Sequence, residues 1–566
     1  MFKEKIISLL KEKLDTEIAL EIPPETKMGD YSFACFPLAK ELRKSPKQIA
    51  EDLSKELEKP DFLEKIEAVN GYLNFFIRTD ILIKEAIRKI DKEKECYGKS
   101  QTGKGKKVMV EFSAPNTNKP MHLGHVRTNI LGDCLCNIYA FQGYDAIRAN
   151  LVNDRGVHIC KSMLAYQKFG NDETPESSGM KGDHLIGKYY VLYQQKLSEY
   201  PELEEEAKEM LKKWEQGDPQ VMELWKKMRA WCMQGFEETY KKEGVHFDKI
   251  YYESEFWKKA RDYVLECYKK GIFKKGEEGE LYIDLEKEGL PNKTVLRSDG
   301  TSLYATQDIY LAQLKFSDYD LDKSIYVVAR EQEMYFKQLF TILKVMGFEW
   351  WNRCIHYSYG MVNLPEGKMK SREGTVVDAD DLLLEMEDLA REEILKRNPD
   401  LKEEEIHERA HNIGLAALRF YLLKIDANKD IIFNPKEAIP FEGDTGPYVQ
   451  YTHARTCSIL KKAKESDITP AEIDYTVLKE PIERILAQKL SEFPEAASNS
   501  CKQMKPHIIA QYLIELSRSF NEFYQTCPCL KAEPGLRDAR LKIIESVKTV
   551  IKNALSLLGI AALEEM

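Results

Sequence analysis

Two histidines three residues apart are the strongest chemical signal in this chain. They stand in the run Val110–His125, VEFSAPNTNKPMHLGH, as His122-Leu123-Gly124-His125. A strand-like segment, Lys107–Phe112, precedes them; it breaks at Pro115, and the chain restarts after Pro120 into the apolar-periodic segment Val126–Ala140. A strand, a loop and a helix start in that order make an anion site, because unpaired backbone N–H groups and the positive end of the helix dipole face the loop. Histidines at this spacing share one face of the first turn. Their ring nitrogens can donate hydrogen bonds to phosphate oxygens. Gly124, with no side chain, lets a flat base approach the backbone. The same pair would also serve as a plain cap or as packing.

A second cluster lies more than two hundred residues on. It reads Gly367-Lys368-Met369-Lys370-Ser371-Arg372-Glu373-Gly374, after Gly360-Met361-Val362. A glycine-bracketed basic loop suits a clamp on a triphosphate, where Lys and Arg neutralise charge developing at phosphorus and on departing pyrophosphate. An ordinary basic surface loop has the same composition. Two further motifs compete. His407-Glu408-Arg409-Ala410-His411 fits the HExxH zinc-peptidase helix. However, the extended motif's third histidine would fall on Ala417, no acidic ligand follows until Asp426, and the next histidine is His453. A solvated helix face continuing LKEEE explains it equally well. Gly182–Lys188 nearly fits a P-loop, but Tyr189 replaces the Mg2+-holding hydroxyl and no clear strand precedes it.

These residues need a scaffold. From Val108 the chain alternates strand and helix signals: VMVEF, DAIRANLV, LYIDL, SLYATQDIYLAQL and SIYVVA. That is a parallel α/β pattern. A charged, helix-rich stretch at 161–245 interrupts it as an insertion. Ahead of it, residues 1–100 carry helical patterns at 2–14 and 46–58 around GDYSFACFPLAK, then a strand-like NGYLNFFI, a helix to about Lys94 and the polar linker Gly98–Lys107. From about Ala410 the chain reads as helices with a break at Asn434–Gly446. Three domains are expected: 1–100, 101–433 and 434–566.

Composition excludes some classes. The 566 residues hold no apolar run of membrane-spanning length. The N-terminal MFKEKIISLLKEKLDTEI interleaves charge with apolar residues, unlike a secretory signal, so a cytoplasmic protein is expected. Twelve cysteines occur without a CxxC pair, which points to reduced buried thiols and no structural zinc. The net charge is −10. Residues 1–107 and 435–566 are each close to neutral, so the excess lies in 108–434. Charge alone does not suggest a polyanion partner.

His122–His125 resembles the "HIGH" signature of class I aminoacyl-tRNA synthetases, and the upstream EFSAPN narrows the resemblance to the arginyl-tRNA synthetase family. The Gly367–Gly374 loop is similar to the "KMSKS" signature but departs from it: the second lysine falls on Ser371, and Lys370 is one place early. Many arginyl enzymes lose that lysine and carry one just before the first signature, here Lys119. The C-terminal GDTGPYVQYTHARTCSIL and NEFYQTCPCL resemble the family's helical anticodon-binding domain. GDYSF and NGYLNF resemble its N-terminal tRNA-binding domain. The likeness covers essentially the whole chain.

The resemblance implies a class I Rossmann-like catalytic domain with a parallel sheet, an N-terminal α/β domain and an all-α C-terminal domain. It implies a ligase that converts arginine and ATP, with Mg2+, into arginyl-adenylate and passes the arginyl group to the 3′ end of tRNA(Arg). In catalysis it implies His122, His125, Lys119 and Lys370. Against ATP it places His122, Gly124, His125, Gly360, Met361, Val362, Lys368, Met369 and Ser371. Glu111 and Asn116 meet the arginine α-amino end; Tyr304, Asp308 and Gln332 surround the guanidinium. Asn70, Tyr72 and Asn74 are implied as tRNA contacts, with Tyr448 and Gln450 in the C-terminal domain. A monomer without membrane association is expected. A synthetase-like tRNA-binding protein without catalysis, or a zinc peptidase, would be the alternative classes.

Overall fold

The computed structural model describes residues 2–23, 28–363, 365, 377–465 and 473–566. Two compact units emerge. One gathers residues 1–97 with 458–492 and 518–550; the other gathers 98–457 with 493–517 and 551–566.

The second unit is built on a five-stranded parallel sheet. Its order is Cys354–Tyr359, Lys323–Ala329, Lys107–Glu111, Asp145–Val152, Lys249–Tyr252. Numbered along the chain, that is the doubly wound order 5-4-1-2-3. The strands are sandwiched by helices, so they read as apolar runs; Val108, Met109 and Val110 are fully buried. The winding reverses between the first strand, Lys107–Glu111, and the fourth, Lys323–Ala329. In open α/β sheets the crevice outside the strand ends at such a switch point is where ligands bind.

The helix expected from Val126 runs Leu123–Phe141. The charged stretch forms Val157–Phe169, Gly182–Lys196, Leu203–Gln216 and Pro219–Glu243, the crossover between the second and third parallel strands. The P-loop-like Gly182–Lys188 lies inside one of these helices and forms no loop.

LYIDL departs from the expected parallel pattern. Leu281–Ile283 pairs antiparallel with both Lys293–Leu296 and Lys274–Lys275. The connections are too short for a parallel crossover, which needs a dozen residues or more.

In the first unit, four antiparallel strands in the order Leu20–Glu21, Tyr31–Ala34, Tyr72–Ile77, Leu63–Val69 bury Phe33, Leu73 and Phe75 with Ile6, Leu10 and Ile49. Asp30 is buried, accepts from the Ile77 amide at 2.7 Å and pairs with Arg484 at 2.6 Å. Among the described residues no helix is long and apolar enough to cross a membrane. All twelve cysteines are free thiols, and eleven are buried.

The turn out of the first parallel strand is strained. Ser113 and Ala114 have φ of 78° and 49°, the left-handed region in which non-glycine residues cost of order 1–3 kcal/mol. Side chains from elsewhere hold it: Tyr240 Oη lies 2.7 Å from Ser113 Oγ, Asn150 Nδ2 donates to Tyr240 Oη at 3.1 Å, and Asn150 Oδ1 accepts from the Ala114 amide at 3.1 Å. Tyr240→Phe leaves two buried polar groups short of a partner, so denaturant titration should show a loss of about 1–3 kcal/mol. An unchanged midpoint would mean that the turn holds itself.

Candidate active site

Helix Leu123–Phe141 begins where the switch-point crevice opens. Its N-cap is His122, with extended backbone at φ −135° and ψ 172°. His122 Nδ1 accepts from the Gly124 amide, and His125 Nδ1 accepts from the His122 amide, each at 3.1 Å. The rings lie 4.0 Å apart, centroid to centroid. Burial, reinforced by the Lys119 charge, pushes the His122 pKa down to about 4. Burial, then His122 and Lys119, push His125 well below the ordinary range. Both rings are therefore neutral near pH 7. With Nδ1 accepting, each carries its one proton on Nε2 and can give that N–H to an anion.

The cap is also pinned from behind. Leu123 N donates to Val377 O at 2.9 Å and Ala379 N donates to Met121 O at 3.0 Å, which pairs His122 with Asp378. Next to this bridge, Asp183, His184 and Asp380 have the spacing of a cation site. The Lys181 ammonium, 2.5 Å from Asp380 and 3.2 Å from Asp183, already supplies a cation there.

A second set of groups converges on acid. Glu111 ends the first parallel strand, is 8% exposed and sits 2.6 Å from the fully buried Lys315. The angle is not that of a hydrogen bond, so the contact is an ion pair. Lys315 also lies 4.1 Å from the Tyr326 ring centroid. Asp308 occupies the second turn of helix Tyr304–Tyr319 and accepts from the Tyr335 hydroxyl. Burial, with Glu111 adding repulsion, lifts its pKa to about 6 against the Tyr335 hydrogen bond and the Lys315 charge. Glu253, the first residue of helix Glu253–Lys269, is buried 3.4 Å from Arg155. Burial lifts it to about 7; Arg155 opposes this, while Asp154 and Asp308 add to it. Arg155 is held by Glu215 at 2.6 Å and lies 4.4 Å from the Trp257 ring centroid. Lys315 and Arg155 thus each have a carboxylate, and Asp308 has only a hydroxyl.

The other expected residues are distributed as follows. Asn116 is exposed and bridges to Asn153. Lys119, partly exposed, is close enough to both histidines to depress them. Tyr304 is 73% exposed at the helix start, one turn from Asp308. Gln332 is exposed on the turn after the fourth parallel strand, and Gly360–Val362 follows the fifth. Lys368, Met369, Lys370 and Ser371 lie outside the described residues.

In the first unit Asn70 is exposed at φ 52° and Tyr72 is partly exposed. Asn74 is buried, its amide oxygen taken by Ser32 at 2.7 Å. Tyr448 is partly exposed; Gln450 is fully buried and donates to Ala561 O at 2.8 Å. The HExxH run lies on helix Glu403–Leu423, with His407 exposed and His411 paired to Glu387 at 2.6 Å.

Sequence reasoning missed Tyr335, Lys315, Glu253 and Tyr240. Lys315 left a trace: it stands seven residues after Asp308 on one helix face. Glu253 directly follows a strand that was not recognised.

The histidine geometry is checkable. In histidine-labelled protein at pH 5.5, nitrogen NMR should show His122 neutral with its proton on Nε2, where an unperturbed ring is mostly protonated. A charged His122 ring at that pH contradicts the cap.

Three family descriptions match the chain: "tRNA synthetases class I (R), catalytic domain" over residues 86–435, "DALR anticodon binding domain" over 449–566, and "Arginyl tRNA synthetase N terminal domain" over 1–77. An arginine–tRNA ligase of Treponema denticola is 44% identical over 563 residues, covering 98% of this chain and 95% of the relative. The Thermus thermophilus arginyl-tRNA synthetase structure superposes with a TM-score of 0.81 at 29% identity, covering 100% of this chain and 99% of that one. A methionyl-tRNA synthetase of Mycobacterium tuberculosis shares the fold at 12% identity and a TM-score of 0.51, over 80% of this chain and 91% of that one. The switch-point histidines, the acidic cluster and these full-length likenesses converge, and the chain belongs to the arginyl-tRNA synthetase family of class I aminoacyl-tRNA synthetases.

Proposed function

We infer that this protein is an arginine–tRNA ligase. The observation that carries the substrate is Asp308: a carboxylate drawn into the fold, crowded by other acids and given a hydroxyl but no cation of its own. Desolvating a carboxylate without a counter-charge is costly, so the pocket is poised for a cation. A guanidinium offers a permanent charge and a planar fork of donors. Asp308, Tyr304 and Gln332 surround it, joined by Tyr335 and Glu253. Glu111, held by Lys315, and Asn116 face the α-amino end.

In the first step an arginine carboxylate oxygen attacks the α-phosphorus of ATP. The bond to the β-phosphate breaks, giving arginyl-adenylate and pyrophosphate. The Nε2–H groups of His122 and His125 and the Lys119 ammonium meet the charge that develops on the phosphates. Gly124 and the main chain at Gly360, Met361 and Val362 lie along the adenosine. Lys368, Met369, Lys370 and Ser371 are the proposed clamp, and Mg2+ brought with ATP would neutralise phosphate charge. A ribose hydroxyl of the terminal adenosine of tRNA(Arg) then takes the arginyl group and AMP leaves. Positioning and charge stabilisation account for the rate.

Residues 1–100, 101–433 and 434–566 act as tRNA-binding, catalytic and anticodon-binding domains, a division that the three matched segments support. Asn70 and Tyr72 offer accessible side chains to an unstacked loop base, with Tyr448 in the C-terminal domain. Asn74 and Gln450 act from within by holding their elements in place. The enzyme works as a cytoplasmic monomer. ATP–pyrophosphate exchange with arginine, with and without tRNA, tests the reading; no exchange in either case would leave a tRNA-binding protein without catalysis.

Asp308→Asn should raise the arginine KM about tenfold or more, since a charge-assisted pair is worth about 1.5–3 kcal/mol, and leave the ATP KM unchanged. Citrulline, the neutral isostere, should be rejected by the natural enzyme; calorimetry showing equal binding would refute the role. The free site holds a proton on Asp308 below about pH 6. Arginine affinity should therefore fall as pH drops through 6, by about tenfold per unit at the limit. For the phosphates, Lys119→Ala should slow adenylate formation more than Lys370→Ala; the reverse order assigns the charge to the loop.

A further inference from the structure

Arg127 is charged, fully buried and unused by the reaction as described. It lies on the signature helix two residues beyond His125. Its Nη1 donates to Met361 O at 3.2 Å, and its Nη2 donates to Ala427 O at 2.9 Å and Lys429 O at 3.1 Å. The guanidinium carbon is 5.5 Å from the Tyr359 ring centroid. These acceptors are all main-chain carbonyls, and they belong to two segments that meet.

The meeting is a parallel ladder two residues long, Val362–Asn363 against Ile431–Ile432. Gly360 N donates to Ala427 O at 2.9 Å, Ile431 N to Met361 O at 2.9 Å, and Phe433 N to Asn363 O at 2.8 Å. Met361 N donates to Asp430 Oδ1 at 2.7 Å. A Cβ on Gly360 would stand 2.6 Å from the Lys429 carbonyl carbon, so the approach requires glycine. A two-stranded pair this short does not sustain itself in water. The Arg127 fork reaches both sides of it at once, and a planar fork can serve several acceptors where an ammonium is a point charge.

We propose that Arg127 is the positioning residue for adenosine recognition: from the helix that carries the phosphate-binding histidines, it fixes the Gly360–Asn363 strand in place before nucleotide arrives. Phosphate and adenosine contacts thereby become parts of one rigid piece. This rests on the assignment of Gly360, Met361 and Val362 to the adenosine.

Arg127→Lys tests it in the full-length enzyme. Without nucleotide, the Gly360, Ile431 and Phe433 amides should exchange with deuterium at least tenfold faster than in the natural enzyme. In pyrophosphate exchange the ATP KM should rise about tenfold, with the arginine KM within twofold. Unchanged amide exchange overturns the clamp. Faster exchange with an unchanged ATP KM overturns its role toward nucleotide. If ATP does not slow exchange across 360–363 in the natural enzyme, the adenosine assignment itself fails, whatever the variant's amide exchange shows. Should Arg127→Lys not fold, Asp430→Ala serves. Asp430 is exposed, holds the Met361 amide and pairs with Arg330 at 2.7 Å. With Arg127 intact, amide exchange at Gly360 and Ile431 and the ATP KM should stay within twofold of the natural enzyme; a tenfold change in either assigns the clamp to Asp430 and overturns the proposal.

Discussion

A helix proposed to receive a phosphate at its N-terminus cannot take every ordinary cap. The favoured caps include Asp, but a carboxylate would place negative charge where the ligand's own must go. Here the cap is imidazole. His122 accepts from Gly124, and His125 accepts from His122, so two amides are satisfied without any negative charge. The cost is that both rings must stay neutral, and burial beside Lys119 enforces this. The rings remain donors on their outer nitrogen because their inner nitrogen is an acceptor. Capping the helix and presenting N–H groups to an anion are one arrangement.

The rest of the fold serves that helix start. The reversal in the sheet opens the crevice in front of it. The left-handed turn at Ser113 and Ala114, braced by Tyr240 and Asn150, swings the chain from the first strand toward it. The bridge to Val377–Ala379 fixes the cap from the other side. In the acidic cluster two carboxylates pair with Lys315 and Arg155, and Asp308 has only the Tyr335 hydroxyl. Strain and buried charge concentrate at the same crevice, which is where a scaffold needs its binding groups held most rigidly.

What the chain disclosed by itself was its periodic and motif-borne content. The strand, loop and helix around His122 were legible because each has a strong local signal. Strands such as Lys249–Tyr252 and Cys354–Tyr359 were not: they are short and carry charge or aromatics, and only their neighbours in the sheet make them strands. LYIDL showed the opposite limit, since a strand signal does not say which sheet it joins. Among the proposed site residues, Asp308 was legible as a carboxylate in an apolar segment. Its partner was not, because Tyr335 reaches it across 27 residues from another helix. Lys315, Glu253 and Arg127 have meaning only once their three-dimensional neighbours are known.

Lys315 and Glu111 cancel one another inside the fold, and this constrains how the protein can change over time. Replacing either alone strands a buried charge, a loss of about 3–5 kcal/mol, whereas replacing both with apolar residues of matching volume costs far less stability but gives up the carboxylate proposed for the arginine α-amino end. A single replacement at either position is therefore selected against. Asp308 has no such dependence, being tied to a hydroxyl. Across descent the Lys315–Glu111 pair should be inherited as a block, while Asp308, the group proposed to select for a cationic substrate, can change in a single mutation. Re-targeting the site toward a neutral amino acid is, on this arrangement, a shorter evolutionary path than replacing the Lys315–Glu111 pair.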